Sequence, residues 1–221
     1  YNETFRDFTY FENTVGAYSC TERSVPYILS GEWYENKEPF LDYQIRIFKN
    51  SPFFEYLKKQ DYTLSYYEDE YKFEVGVMDG AFNNLAYTQS SLWDAPLFNK
   101  RIIKMVGMKY APYLLKPKCW FNVDMLNNQE MTPKDEELYD DVKEDEISYV
   151  DGKRFKLIHL MGAHVPFYYD KDVNVIDNAN YYTCIESSMT VTMAYLDKLR
   201  EAGVYDNSVI IVLSDHGYNI E

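Results

Sequence analysis

The chain has 221 residues, room for one sizeable α/β domain or two small ones, and 46 % of them are hydrophobic, which excludes global disorder. A net charge of −14 excludes nucleic acid as a partner, because phosphate backbones are held by Lys and Arg patches. The three cysteines, Cys20, Cys119 and Cys184, are odd in number and widely spaced, which excludes a disulfide framework and leaves room for one bridge.

In chain order, residues 1–20 are aromatic and polar and predict a strand and loop. Thr21 to Leu29 predicts a short helix, with Thr21 as N-cap, Glu22 in the first turn, Gly31 beyond the end and Pro26 distorting the middle. Ser51-Pro52 opens a helix that runs through Lys59, with proline at the first helical position. A strand is expected over Asp61 to Tyr67. Residues 69–100 carry no clear pattern, and Ile102 to Val106 begin another helix. The acidic stretch 127–153 predicts a solvated surface excursion or helix. Asp151-Gly152 is a turn, Lys156 to Leu160 a buried strand, and Gly162 to Pro166 the loop after it. Tyr181 to Ala202 is the clearest helix, with Ile185, Met189, Met193, Leu196 and Leu199 in helical spacing and Gly203 after its end. Val209 to Leu213 is five apolar residues, four of them β-branched, and predicts a strand over 208–213 buried on both faces. Buried strands alternating with helices argue for a mainly parallel sheet covered by helices.

Three groups of residues carry chemistry. Asp215 and His216 follow the 208–213 run, and ligands in open α/β sheets bind at the carboxyl ends of strands. Their oxygen and nitrogen donors suit Zn²⁺ or Mn²⁺; the plainer reading is a cap and a surface histidine. His159 and His164 stand five residues apart at another strand end. His159 lies within the strand and reads equally as a core histidine, whereas His164 lies in the loop and is the better contact for an anion. Thr21 places a hydroxyl at a helix N-terminus, where a metal could turn it into a nucleophile; the plainer reading is an N-cap alone.

Together these segments resemble the alkaline phosphatase superfamily, in its sulfatase-like membrane branch. They are most similar to bacterial phosphoethanolamine transferases, with lipoteichoic acid synthases as relatives. Thr21-Glu22-Arg23-Ser24-Val25-Pro26 resembles the transferase nucleophile segment. His159-Leu160-Met161-Gly162-Ala163-His164-Val165-Pro166-Phe167-Tyr168 resembles a family run of His-x-x-Gly-Ser-His-x-Pro-x-Tyr, and Tyr205 through Gly217 resembles a family strand ending in a metal-binding Asp-His. Residues 69–150 match weakly.

The resemblance implies a three-layer α/β/α sandwich around a mainly parallel sheet, with 1–221 a single catalytic domain cut at both ends. It implies Thr21 as nucleophile and metal ligand, Asp215 and His216 as metal ligands, and His164 with His159 as substrate-binding residues. It further implies a divalent metal, Zn²⁺ before Mn²⁺, a phospholipid donor and a glycan or lipid acceptor. The setting it implies is the extracytoplasmic face of a bacterial cytoplasmic membrane, reached through segments outside this chain. Three departures stand against it. No residue before Thr21 fits the family's first acidic metal ligand, and the family's further histidine would lie past Glu221. Cys20-Thr21-Glu22-Arg23-Ser24 also lacks the Pro and Arg that formylglycine formation needs in sulfatases, which argues against sulfate-ester hydrolysis. The alternatives are a sulfatase-family hydrolase of sulfuric esters or phosphodiesters, and a non-catalytic binding domain on the same scaffold.

Overall fold

A computed structural model describes residues 5–68, 77–78, 80–83, 95–119, 135–144 and 152–217. Three helices come first: α1 (Thr21–Ser30), α2 (Phe40–Asn50) and α3 (Pro52–Lys59). Strand β1 (Tyr62–Glu68) and helices α4 (Ala95–Tyr110) and α5 (Asp135–Glu144) follow, then strand β2 (Lys153–His159) and helix α6 (Tyr181–Glu201). Short 3₁₀ helices occupy Tyr113–Cys119 and Tyr205–Asn207.

The two strands pair in parallel, from Tyr62 opposite Lys153 to Glu68 opposite His159. Both strands therefore end at one edge, and His159 is the last residue of β2 there. Asn83 extends the pairing of β1: its side chain accepts from the Leu64 N–H at 2.7 Å and its own N–H donates to the Leu64 carbonyl at 2.7 Å. The fold is α/β, as the alternation of helices and strands implies.

Proline inside α1 leaves the helix intact for a reason that lies in α2. Pro26 has no N–H, so the carbonyl of Glu22 loses its helical donor. The side-chain amide of Gln44, itself buried, donates to that carbonyl at 3.1 Å. A backbone acceptor that would otherwise be orphaned is thereby satisfied. Gly31 closes α1 in the left-handed conformation at φ 72°, its N–H bonded to the Tyr27 carbonyl. Ser51 caps α3 by accepting from the Phe54 N–H, ahead of Pro52.

One core lies where α1, α2 and α3 meet β1, centred on Val25, Phe48, Phe54 and Leu64. A second lies between α6 and the loop that precedes it, around Tyr169, Val173, Cys184 and Val191. Helix α6 is capped by Asn180 and Thr183 in a reciprocal capping box. Its buried positions in the first half are Cys184, Ser187 and Val191, because Cys184 and Val191 pack with Tyr169 and Val173; Ile185, Met189 and Met193 are half-buried. All three cysteines are free.

Several expectations need correction. Residues 5–20 hold turns and loop but no strand, and β2 is half-buried to exposed rather than buried. Residues 208–213 form no strand with any described residue, and Val209 is 93 % exposed, with Ile211, Val212 and Leu213 also exposed. β-Branched residues favour extended backbone, but a strand requires a neighbour's N–H and C=O groups, and no described segment offers them. Thr21 is not the N-cap of α1. Cys20 holds that position in extended backbone with no side-chain capping bond, and Thr21 is the first helical residue. The acidic excursion also holds more than solvated surface. Within it α5 is largely exposed, but its first residue, Asp135, is only 2 % exposed.

Candidate active site

Because Thr21 does not cap its own helix, its hydroxyl is available to a partner far along the chain. It donates to Asp215 Oδ2 at 2.6 Å, a contact between residues 194 positions apart. Thr21 is 4 % exposed, so the donor of this partly buried bond is shielded from water. The other carboxylate oxygen of Asp215 accepts from the backbone N–H of His216 at 2.9 Å. Two imidazoles flank the same carboxylate: Nε2 of His159 lies 3.8 Å and Nε2 of His216 3.7 Å from Asp215 Oδ2. His216 is turned by its own backbone, its Nδ1 lying 2.8 Å from the Gly217 carbonyl.

Four of the five residues singled out in the sequence thus meet around one carboxylate. They arrive from the N-terminus of α1, the end of β2 and the segment after 208–213. Burial pushes the Asp215 carboxyl up, but the His159 imidazole 3.8 Å away and the hydrogen bond from Thr21, with the nearby His216, outweigh it. The carboxyl is held well below the usual carboxylate range, so Asp215 is an anion in the folded protein.

His164 stands outside that set. It sits on the turn that follows β2, its N–H donating to the Met161 carbonyl at 3.3 Å. What fixes this turn is a residue that sequence reasoning missed. Asp135, at the start of α5, accepts from the N–H of Met161 at 2.9 Å through one oxygen and from the N–H of Gly162 at 3.0 Å through the other. Gly162 has φ 58°, and a Cβ there would come 3.2 Å from Ser188 Oγ on α6. The turn is therefore held from two helices, with glycine required between them. The signal in the sequence was an Asp at a helix start, but its partners lie 26 and 27 residues away and no local pattern points to them.

The scan against protein families gives a Sulfatase match over residues 3–221. The chain belongs to the sulfatase family. No curated protein and no solved structure matches it. Membership of the sulfatase family over this span places the chain, at family level, among sulfatase-like hydrolases and transferases.

A carboxylate, two imidazole nitrogens and a hydroxyl are the donor types that Zn²⁺ and Mn²⁺ accept. Donors 2.0–2.2 Å from a tetrahedral ion stand roughly 3.3–3.6 Å apart. The imidazole separations of 3.7 and 3.8 Å from Asp215 Oδ2 lie close to that spacing. Among the described residues no group of three or more His, Cys, Asp and Glu side chains is assembled to hold an ion. The Thr21 hydroxyl oxygen, 2.6 Å from Asp215 Oδ2, is closer than that spacing because it donates its proton there, so it would serve as a third donor only by giving up that bond.

Proposed function

We propose that this chain is a metal-dependent phosphotransferase. It moves a phosphoethanolamine- or phosphoglycerol-type group from a lipid donor to a cell-surface glycan or lipid, at the extracytoplasmic face of a bacterial cytoplasmic membrane. The observation that carries the reading is the 2.6 Å bond from the buried Thr21 hydroxyl to Asp215. A plain helix cap would spend that hydroxyl on its own backbone. Here it is aimed by an anion and surrounded by donors suited to a cation.

A bound Zn²⁺ or Mn²⁺, held by Thr21, Asp215 and His216, would lower the pKa of the hydroxyl and offset negative charge at the phosphoryl group. Asp215 orients Thr21 by holding the hydroxyl proton on its Oδ2 side. Thr21 Oγ1 then forms a bond to the donor phosphorus while the bond from phosphorus to the lipid oxygen breaks. The lipid oxygen leaves and takes up the proton that Thr21 gives up, and the group rests on Thr21 as a phosphodiester. The acceptor hydroxyl attacks that phosphorus, gives up its proton, and releases the Thr21 oxygen to be protonated again. His159, at the end of β2, and His164, on the turn beyond, face the substrate and bind phosphoryl oxygens. Imidazole N–H groups at that point would give an anionic substrate local donors in a chain of net charge −14.

Family membership favours a second reading, in which water is the acceptor and the chain is a hydrolase. Absence of Pro and Arg after Cys20 at the positions formylglycine formation needs directs either reading to phosphorus rather than sulfur. Nitrophenyl phosphodiester, phosphate and sulfate esters, offered with Zn²⁺ or Mn²⁺, separate the cases. Phosphodiester turnover that rises with an added alcohol acceptor supports the transferase. Sulfate release alone, or no turnover and no metal bound at micromolar concentration, sinks it.

A further inference from the structure

We propose that α4 and the 3₁₀ helix after it form a surface that docks on an anionic lipid bilayer, so that this chain touches the membrane through its own folded surface. Residues 95–119 hold six of the 22 Lys and Arg of the chain and none of its 36 Asp and Glu. In a protein of net charge −14 that is a local inversion of sign. The same stretch is apolar where it meets solvent. Ile103, Val106 and Tyr110 recur at helical spacing on one side of α4, and all are exposed. Tyr113 and Leu114 follow on the 3₁₀ helix, and Ile103, Tyr110, Tyr113 and Leu114 are each 70–86 % exposed. A basic helix with a solvent-facing apolar stripe and tyrosines beside it is the pattern of an element lying in a membrane interface.

The two pieces act as one surface. A Cβ on Gly107 would come 2.4 Å from Cys119 Sγ, so the 3₁₀ helix is folded tightly back against α4 at the one position with no side chain. Lys109 lies over the Tyr110 ring at 5.2 Å, which keeps a cation beside the apolar stripe. None of the described helices is long and apolar enough to cross a membrane, so contact is with its surface.

Charge selects the occupant. A second copy seated symmetrically would bring two basic faces together and be repelled. Anionic head groups complement the lysines while the acyl boundary takes Ile103, Tyr110 and Leu114. Repulsion from the acidic remainder is screened beyond a Debye length of about 8 Å at physiological salt. The inference stands apart from the phosphotransferase reading, because its test needs no turnover.

Purified protein is mixed with sedimentable vesicles of phosphatidylcholine alone or with about one-third phosphatidylglycerol, and the bound fraction is measured at low and high salt. Binding is expected on the anionic vesicles, at least about tenfold weaker on neutral ones and weakened by salt. Neutralising Lys116 and Lys118 together, K116Q with K118Q, is expected to weaken it by roughly fivefold per lysine. Leu114→Ser, at an exposed position that folding does not need, is expected to weaken it by about tenfold. No vesicle binding, equal binding to neutral vesicles, or unchanged binding by both variants overturns the proposal. So does capture of a single-stranded oligonucleotide in preference to anionic vesicles.

Discussion

Replacing Thr21 by valine keeps its shape and removes one atom's chemistry. Thr21 is 4 % exposed, so the methyl that replaces the hydroxyl stays in a packed place and creates no cavity. What is lost is the 2.6 Å donation to Asp215 Oδ2. A hydrogen bond to a charged group contributes about 1.5–3 kcal/mol, and a partly buried carboxylate left short of a donor sits at the upper part of that range. For a chain of this length each kcal/mol moves the midpoint by roughly 2–4 °C, so Thr21→Val is expected to melt roughly 4–12 °C below the parent at pH 7. The measurement is calorimetry in the presence of a chelator, so that loss of the bond is not mixed with loss of a metal. A pH series gives the sign. The folded carboxyl of Asp215 is held low, so its contribution is present above the unfolded value of about 3.9 and lost as pH falls toward the folded one. The gap between parent and variant is therefore expected to narrow below about pH 4. A gap under about 0.5 kcal/mol at pH 7, or one that widens in acid, refutes the reasoning.

Asp135→Asn replaces one of two carboxylate acceptors by an amide N–H₂ that faces a backbone N–H, and is expected to cost about 1–3 kcal/mol in urea unfolding. Hydrogen exchange at Met161 and Gly162 should accelerate at least tenfold while Val191, deep in α6, keeps its protection. Gln44→Leu strips the Glu22 carbonyl of its donor and should destabilise by about 1–3 kcal/mol; in a Pro26→Ala background, where residue 26 regains its N–H, the cost should shrink by about 1 kcal/mol or more. Gly162→Ala forces a Cβ into the left-handed region and against Ser188, and should lower stability by about 1–2 kcal/mol, read from the denaturant midpoint.

Helices α1, α3 and α6 were legible because their signals are local, whereas α2 was not expected and α4 begins at Ala95 rather than Ile102. Pro52 after Ser51 marks the start of α3, and the period of α6 with Gly203 beyond its end marks nearly its whole length. Strands β1 and β2 were legible within three residues at each end. The 208–213 run misled because apolar, β-branched sequence reports a preference for extended backbone and cannot report whether a partner strand lies alongside. At the site, the end of β2 singled out His159 and a helix start singled out Thr21, while Asp215 and His216 were found through their residue types beside a run that forms no strand with any described residue. Their convergence on Asp215 Oδ2 follows from the fold rather than from any spacing. Asp135 and Gln44 stayed hidden for one reason: each satisfies backbone groups of another segment, and sequence does not show which backbone groups will lack a partner. Thr21 was half legible. Its place at the start of α1 was expected, but the freedom of its hydroxyl depended on Cys20 taking the capping position.

In the proposed reaction Thr21 carries the transferred group. Protein incubated with Zn²⁺ and a phosphodiester donor, quenched in acid and digested, should yield a Thr21-containing peptide heavier by the transferred phosphoryl group. That adduct should be absent from Thr21→Val and should fall when an acceptor alcohol is added. Donor turnover with no adduct on Thr21, at a rate that Thr21→Val leaves unchanged, would contradict the account.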